Sequence, residues 1–393
     1  MRLINEITRD GFFWIKENLF QSYLNSLMTL LIVVFIGYLF LDFLGFLINA
    51  DWTVVEVNRR LLLLGRLPLG NEIRGWLILW FSMILISSSI GIWGSPNIKD
   101  FLIIFIISLV IFFIFGTLNS IYHILITYLI SFSPYFFSKY FLRKKYFELS
   151  KRVLIFSWIL IIPIFIIILL IGNGPKPNLW GGFLLNIILA SVAIVAGFPL
   201  GLILGLGRAS SFPVIKIAST FYIEVIRGAP LVAWLLLAWF VLPTFLPNLF
   251  GLNEVSIVVR AMIVLSIFAS AYIAEVIRGG LQSIPKGQLE AADALGLSTI
   301  DSTFNIILPQ AIRVVIPALV STFIAMFKDT SLVFILALTD LLQVGRLIPE
   351  QEPEFFGRQL EALLVVAFLF WVVSISLSNL SSRLEKAMGI GVR

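Results

Sequence analysis

The sequence has no cysteine, one histidine and few charges for its 393 residues. Without cysteine there can be no disulfide, zinc–thiolate site, iron–sulfur cluster or thiol nucleophile. With His123 alone, a multi-histidine metal centre or a serine–histidine triad has almost nothing to draw on. No G-x-x-x-x-G-K-[ST] string occurs, so the chain carries no phosphate-binding loop of its own. Residues 1–23 hold three basic and three acidic side chains and lack the apolar core and small-residue cleavage site of a signal peptide. Charged residues make up 13% of the chain, about half the share found in soluble domains.

What abounds is apolar. Hydrophobic residues reach 60% and the mean hydropathy is +1.04. Such a chain cannot cover itself with polar surface, which excludes a soluble globular protein. The expected fold class is all-α: a polytopic membrane helical bundle embedded in the lipid bilayer. The net charge of +6 is scattered between apolar spans, which suits loops facing anionic lipid and not nucleic acid.

A helix needs about 20 apolar residues to cross the hydrocarbon core. Windows of that size give spans near 24–48, 75–94, 101–131, 153–172, 183–207, 221–243, 257–277, 309–338 and 360–380. That is nine spans, with eight as the alternative count. The 101–131 segment is long enough to tilt or to break near Gly116, and Pro309 and Pro317 are positioned to bend the 309–338 segment. Six basic residues in loop 132–152 place that loop in the cytoplasm. Alternation then puts 173–182, 244–256 and 339–359 outside, and 208–220, 278–308 and the C-terminus inside. The N-terminus falls outside, with Arg59, Arg60, Arg66 and Arg74 inside or on an interfacial helix. Trp76, Trp80, Trp93, Trp180 and Trp371 are candidate interfacial anchors.

Composition divides the chain near Gly172–Gly182. Residues 1–174 form an extension of three to four spans, monotonous in Phe, Ile and Leu. Residues 178–390 are rich in glycine, proline and buried charge, the features of helices that line a pathway. Within them Glu-Val-Ile-Arg-Gly occurs at 224–228 and again at 275–279.

The longest cytoplasmic loop of the second block, 285–309, is the most informative. Residues 286–295 read as a short helix, with Lys286 and Glu290 at i,i+4 and Leu289, Ala292 and Leu295 on one stripe. Gly296 is placed to end it with a left-handed residue. Ser298 with Asp301 resembles a capping box opening a second helix. Small side chains at Ala291 and Ala292 permit close approach to a groove on another protein, where Glu290 would meet a basic residue. Spacing alone leaves this docking knob and an ordinary loop helix equally open.

Glu290-Ala291-Ala292, Gly296 and Ile307-Leu308-Pro309 resemble the EAA signature of ABC importer permeases at its usual spacing. The resemblance implies that the loop is a coupling helix seated in a cleft of a cytoplasmic ATPase, with Glu290, Ala291, Ala292, Gly296, Leu308 and Pro309 as its coupling residues. Phe221–Leu231, Ser270–Gly280 and Phe327–Leu332 are similar to the polar amino-acid branch of these permeases. The likeness covers about 178–390 and implies a type I importer core of five helices. By length and layout the N-terminal third resembles the extended permeases of general L-amino-acid systems.

Charges in or near spans are costly and face partners or water-filled cavities. Glu224/Arg227 and Glu275/Arg278 can each pair at i,i+3, a structural role; the first pair is also a candidate for the substrate path. Arg313 would snorkel to headgroups. Lys328, Asp329, Thr330 and Ser331 lie about 15 residues, roughly 22 Å, beyond Arg313 and offer a zwitterionic amino acid both charges and hydroxyls. The alternative is a helix end held by a local ion pair. In resembling permeases this segment borders the translocation pocket. His123 is expected to be hydrogen-bonded inside the bundle; Asp42 has no assigned role.

The resemblance implies a permease subunit of a prokaryotic ABC importer for amino acids in the cytoplasmic (inner) membrane, with no catalytic residues, metal or cofactor of its own. ATP and Mg²⁺ would be bound by two ATPase subunits. An extracytoplasmic amino-acid-binding protein and a second permease subunit, in a heterodimer, would complete it. An ion-coupled secondary amino-acid transporter would need buried charge in both halves, and only one half carries it. A membrane-bound enzyme would need a cluster of catalytic side chains that the composition hardly supplies.

Overall fold

A computed structural model describes residues 13–93, 121–245 and 255–387. Contacts divide the chain into two compact units, Met1–Thr53 and Val54–Arg393. In the first, helix α1 (Tyr23–Asn49) starts on Ser22, whose hydroxyl accepts from Asn25 N at 3.2 Å. It is 27 residues long and apolar enough to cross a membrane.

Two short helices, α2 (Thr53–Val57), which begins at the last residue of the first unit, and α3 (Arg59–Leu64), precede α4 (Glu72–Trp93) and α5 (Ile121–Phe137). Next come α6 (Phe147–Ile159) and α7 (Ile161–Leu170), bent by 54° against each other. Then follow α8 (Gly182–Ala209), α9 (Pro213–Gly228), α10 (Leu231–Leu236) and α11 (Ile257–Ser283). The chain closes with α12 (Lys286–Ala294), α13 (Thr299–Ser302), α14 (Leu308–Asp329), α15 (Leu341–Gln351) and α16 (Gln359–Ala387).

Among the described residues, six helices are long and apolar enough to span a membrane, or eight if each bent pair is one span. The expected spans at 24–48, 75–94, 183–207, 257–277, 309–338 and 360–380 coincide with helices, whereas that at 153–172 is broken at Leu160 into α6 and α7. Much of the 101–131 span, most of the 244–256 loop and the last six residues lie outside the described residues. The span expected at 221–243 needs correction: α9 and the helix after it meet at 96°. Pro230 has no N–H to continue α9, and Ala229 before it is extended (φ −115°, ψ 148°). Pro317, by contrast, lies inside α14 without ending it.

The centre of the bundle is α8 against α11. Gly197, Gly201 and Gly205 repeat every four residues along α8, and a Cβ at Gly201 would stand 2.8 Å from Ile273 Cβ. This small-residue face lets the two backbones approach. Phe165 and Leu169 of α7, Leu63, Leu64 and Leu67 near α3, and Leu185, Ile188 and Leu189 of α8 share one apolar core. The composition boundary near 174–178 therefore runs through a single compact unit. Val54 and Leu62 pack with Leu341, Val344 and Ile348 of α15 and with Val366 and Leu369 of α16. Arg74 donates to Ile168 O at 2.6 Å, tying α4 to the end of α7.

Beyond α14, a tight helical turn at Thr330–Leu336 leads into a buried polar knot. Asn186 Nδ2 donates to Thr330 Oγ1 (3.0 Å) and to Asp340 Oδ2 (3.3 Å), while Leu341 N donates to Asn186 Oδ1 (2.9 Å). Asp340 also caps α15, accepting from Leu342 N and Gln343 N, each at 3.2 Å. Burial raises its carboxyl to about 6, against the lowering pull of these donors.

In α4 and α5, His123 stacks on Trp76 (5.1 Å between centroids) and Trp80 (5.9 Å). Its Nδ1 is buried with no hydrogen-bond partner among the described residues, so aromatic packing replaces the expected bond. Trp76 and Trp180 are buried, Trp180 donating to Pro175 O at 3.1 Å. They are packing residues rather than interfacial anchors.

Candidate functional site

Three features lie along α9, α11, α14 and the loop between the last two. The first is the loop at 285–309. Helix α12 ends as the spacing predicts: Gly296 has φ +74°, Gly296 N donates to Asp293 O (2.9 Å) and Leu297 N to Ala292 O (3.1 Å). These two reversed bonds are a Schellman cap, which needs a left-handed residue at that position. Ser298 then accepts from Asp301 N (3.1 Å) and donates to Asp301 Oδ2 (2.6 Å), opening α13. A turn of wider helix at Thr303–Ile307 joins it to α14.

Side-chain placement departs from expectation in three ways. Ala292 is buried against its own loop while Ala291 is exposed, so only one of the two alanines faces outwards. Leu289 and Leu295 do not share its burial; Leu295 is 79% exposed, and Ile300 is 71% exposed. Lys286 and Glu290 form no ion pair among the described residues, consistent with a fully solvated pair gaining little. Leu308 is buried and Pro309 follows directly on the wider turn, at the start of α14. The loop thus presents exposed apolar side chains and an uncommitted Glu290.

The second feature is a charge cluster at the same end of the bundle. Arg208, in the last turn of α8, reaches Glu275 at 2.5 Å and Glu224 at 2.7 Å. Glu275 also holds Arg278 at 3.0 Å and Arg227 at 3.5 Å. The i,i+3 pair Glu275–Arg278 forms as expected. Glu224–Arg227 does not, because each side chain turns to a partner on another helix. The guanidinium fork of Arg208 spans carboxylates on α9 and α11, so the two copies of Glu-Val-Ile-Arg-Gly meet in one network. Arg208 was invisible to the sequence argument: it ends a span like any snorkelling arginine, and only the packing of α8 shows its partners. Tyr222 Oη lies 2.9 Å from Ser270 Oγ, fixing α9 on α11 nearby.

The third feature is an open cavity of about 490 Å³ between Leu231, Phe268 and Tyr272 on one side and Ser321, Thr322, Met326 and Asp329 of α14 on the other. Asp329 is the charged residue in this lining. It is the last of the 22 residues of α14, roughly 30 Å from the 285–309 loop. The Arg227 guanidinium sits 5.2 Å from the Tyr272 ring, so a residue of the charge network stacks on a wall of the cavity.

The four residues 328–331 are separated by the fold. Asp329 faces the cavity; Lys328 is exposed, and neither forms an ion pair among the described residues. Thr330 is fully buried in the polar knot and donates to Phe327 O at 2.6 Å. Ser331 donates to Lys328 O at 2.8 Å, as a local turn bond. The knot itself was missed, since Asn186 and Asp340 are 154 residues apart and neither carries a motif. No group of three or more metal-ligating side chains occurs among the described residues.

Residues 197–390 match the family of binding-protein-dependent transport system inner membrane components. The inner membrane amino-acid ABC transporter permease protein YhdY of Escherichia coli K12 is 39% identical over 240 residues, covering 60% of this chain and 64% of that one. The glutamate/glutamine/aspartate/asparagine transport system permease protein BztC of Rhodobacter capsulatus is 42% identical over 209 residues, 53% of this chain and 48% of that protein. The chain therefore spans about two thirds and about half of the length of these two relatives. The glutamate/aspartate import permease protein GltK of E. coli is 38% identical over 213 residues, 53% of this chain and 93% of GltK. A crystal structure of an amino acid ABC transporter with histidines aligns at 33% identity and a TM-score of 0.46, over 52% of this chain and 92% of that one. With nearly the whole of one such permease matched at this identity, the chain belongs to the family of binding-protein-dependent transport system inner membrane components.

Proposed function

We propose that the chain is a permease subunit of an ATP-driven amino-acid importer in a prokaryotic inner membrane, with its C-terminus in the cytoplasm. The observation that carries this is the 285–309 loop, locally capped, solvent-facing and bearing exposed Leu295 and Ile300 beside Glu290. An apolar tip with one carboxylate fits a cleft on an ATPase subunit that offers a basic residue at its rim. ATP would be bound with Mg²⁺ and hydrolysed there, not in this chain. A second permease subunit supplies the other half of the path, in a heterodimer. A binding protein delivers substrate at the far end, near α15.

The cavity beside Asp329 receives the amino acid. Its apolar walls accommodate a side chain, Thr322 and Ser321 offer hydroxyls, and the Asp329 carboxylate meets an ammonium or guanidinium group. The relatives named for glutamate, glutamine, aspartate and asparagine support a polar substrate. The test is ATP-driven uptake by the reconstituted complex across a panel of amino acids, with Leu295→Asp and Ile300→Asp as loop variants. Both variants should lose the ATPase on purification while the membrane chain stays folded. Full ATPase retention by the pair would sink the assignment.

A further inference from the structure

At the coupling-loop end of the bundle lies a second cavity, of about 550 Å³, lined by Arg208, Lys216, Thr220, Arg278, Leu281 and Gln282. It is large enough for a small polar ligand. Arg208 and Arg278 are shared with Glu275, and Arg278 also donates to Gln282 Oε1 at 2.7 Å, so both guanidinium groups are held in place. Lys216 is exposed and forms no ion pair among the described residues. The cations that line the cavity, Arg208, Arg278 and Lys216, stand against the carboxylates Glu224 and Glu275, which leaves one positive charge over. The surplus belongs to the cavity, since Lys216 is its unengaged member.

The setting says which anion. Lys216 lies on α9, whose buried residues Ser219, Ile223 and Ile226 occupy one side. On the other, Val214 is 79% exposed, Ile217 67% and Phe221 70%, with Phe212 just before the helix at 67%. The cationic pocket therefore opens beside an uncovered apolar surface at the end of the bundle where the spans terminate. A free phosphate or a soluble acid would use the charges and leave the apolar rim bare. A molecule with a phosphate and acyl chains uses both.

We infer that this cavity binds the phosphate of an anionic phospholipid, in the leaflet on the coupling-loop side, with Lys216 as the engaged cation and the chains lying on α9. Arg208 and Arg278 orient the phosphate while keeping Glu275 neutralised, so the lipid bridges α8, α9 and α11 at the base of the coupling loop. The site depends on the importer reading only for the name of that leaflet.

The test uses the full chain extracted from vesicles of equal phosphatidylglycerol and phosphatidylcholine, with retained lipid counted by native mass spectrometry. Wild type and Lys176→Gln, a control at the opposite end of α8, should retain phosphatidylglycerol preferentially. Lys216→Gln should retain about fivefold less, the loss expected for one near-surface cation. Equal retention in all three proteins overturns the site. If inorganic phosphate at millimolar concentration displaces the lipid from wild type, the cavity is a free-phosphate site and the lipid assignment fails. ATPase co-purification is followed in parallel. If Lys216→Gln loses the ATPase with lipid retention unchanged, the pocket serves a protein partner and the inference is wrong. If the ATPase never associates yet the lipid result holds, the import reading falls and the lipid site stands.

Discussion

Gly296 shows how much one residue carries. Its φ of +74° lies where a β-branched side chain costs at least about 1 kcal/mol. No neighbouring atom comes within 4 Å of an added Cβ, so the penalty is purely conformational. Gly296→Val should insert normally but weaken ATPase association or uncouple hydrolysis from uptake; normal transport by that variant would contradict the cap. Asp329 sits differently. Since it forms no ion pair with Lys328, Asp329→Asn should leave thermal stability near wild type and change substrate preference. Uptake of arginine should fall on the order of tenfold, the worth of one charge-assisted bond, and that of glutamate much less. Uniform loss with a destabilised complex would assign Asp329 to structure. At Asp340 the sign is reversed from the ordinary salt-bridged carboxylate. Its folded pKa, about 6, exceeds the usual value near 4, so the stability it contributes is full below pH 4 and is lost as pH rises to 6. The difference is roughly 3 kcal/mol. Asp340→Asn can still cap α15 and bond Asn186, so it should flatten the pH dependence of melting between pH 4 and 7. An unchanged pH profile would rule out Asp340 as its source.

At the level of elements, what could be read from the sequence was what is local. Apolar length placed α1, α8, α11 and α16, because crossing a bilayer demands about 20 such residues wherever they pack. Gly296, Ser298 and Asp301 placed the loop's caps, because each bond there closes within five residues. The bend between α9 and α10 was also written locally, in Gly228-Ala229-Pro230, but a continuous apolar run outweighed it. Pairings across the fold were not legible. Nothing in the string Arg208-Ala209-Ser210 announces carboxylates on two other helices, and Asn186 looks like a stray amide in an apolar span. Such partners are set by which helix faces meet, which for α8 and α11 follows from three glycines. A side chain at Gly201 would strike Ile273 Cβ, so Gly201→Leu should force the helices apart and break the Arg208–Glu275 contact. Lower melting temperature together with reduced ATPase coupling is the expected result, read by thermal unfolding and uptake; unchanged melting would deny the close approach.

For the molecule as a whole, residues 54–174 are part of the unit that holds the site, despite their plain composition. Leu62 backs α15, Leu63, Leu64, Leu67, Phe165 and Leu169 fill the main core, and a Cβ on Gly65 would stand 2.4 Å from Gly181 Cα. A chain starting at Pro177 should therefore melt well below the full-length protein or fail to purify, whereas one starting at Val54 keeps the compact unit; equal melting of the two would refute this. The loop at 285–309 obeys the opposite logic. Its turn and both caps are closed by bonds to its own residues, Ala292, Asp293 and Ser298, and only Ala292, Ser302, Ile307 and Leu308 turn inward. A segment whose shape is self-contained can be transplanted. Exchanged between two permeases with different ATPases, it should carry the choice of motor with it and leave cargo selection behind, like a plug that fits one socket whatever machine it is wired to.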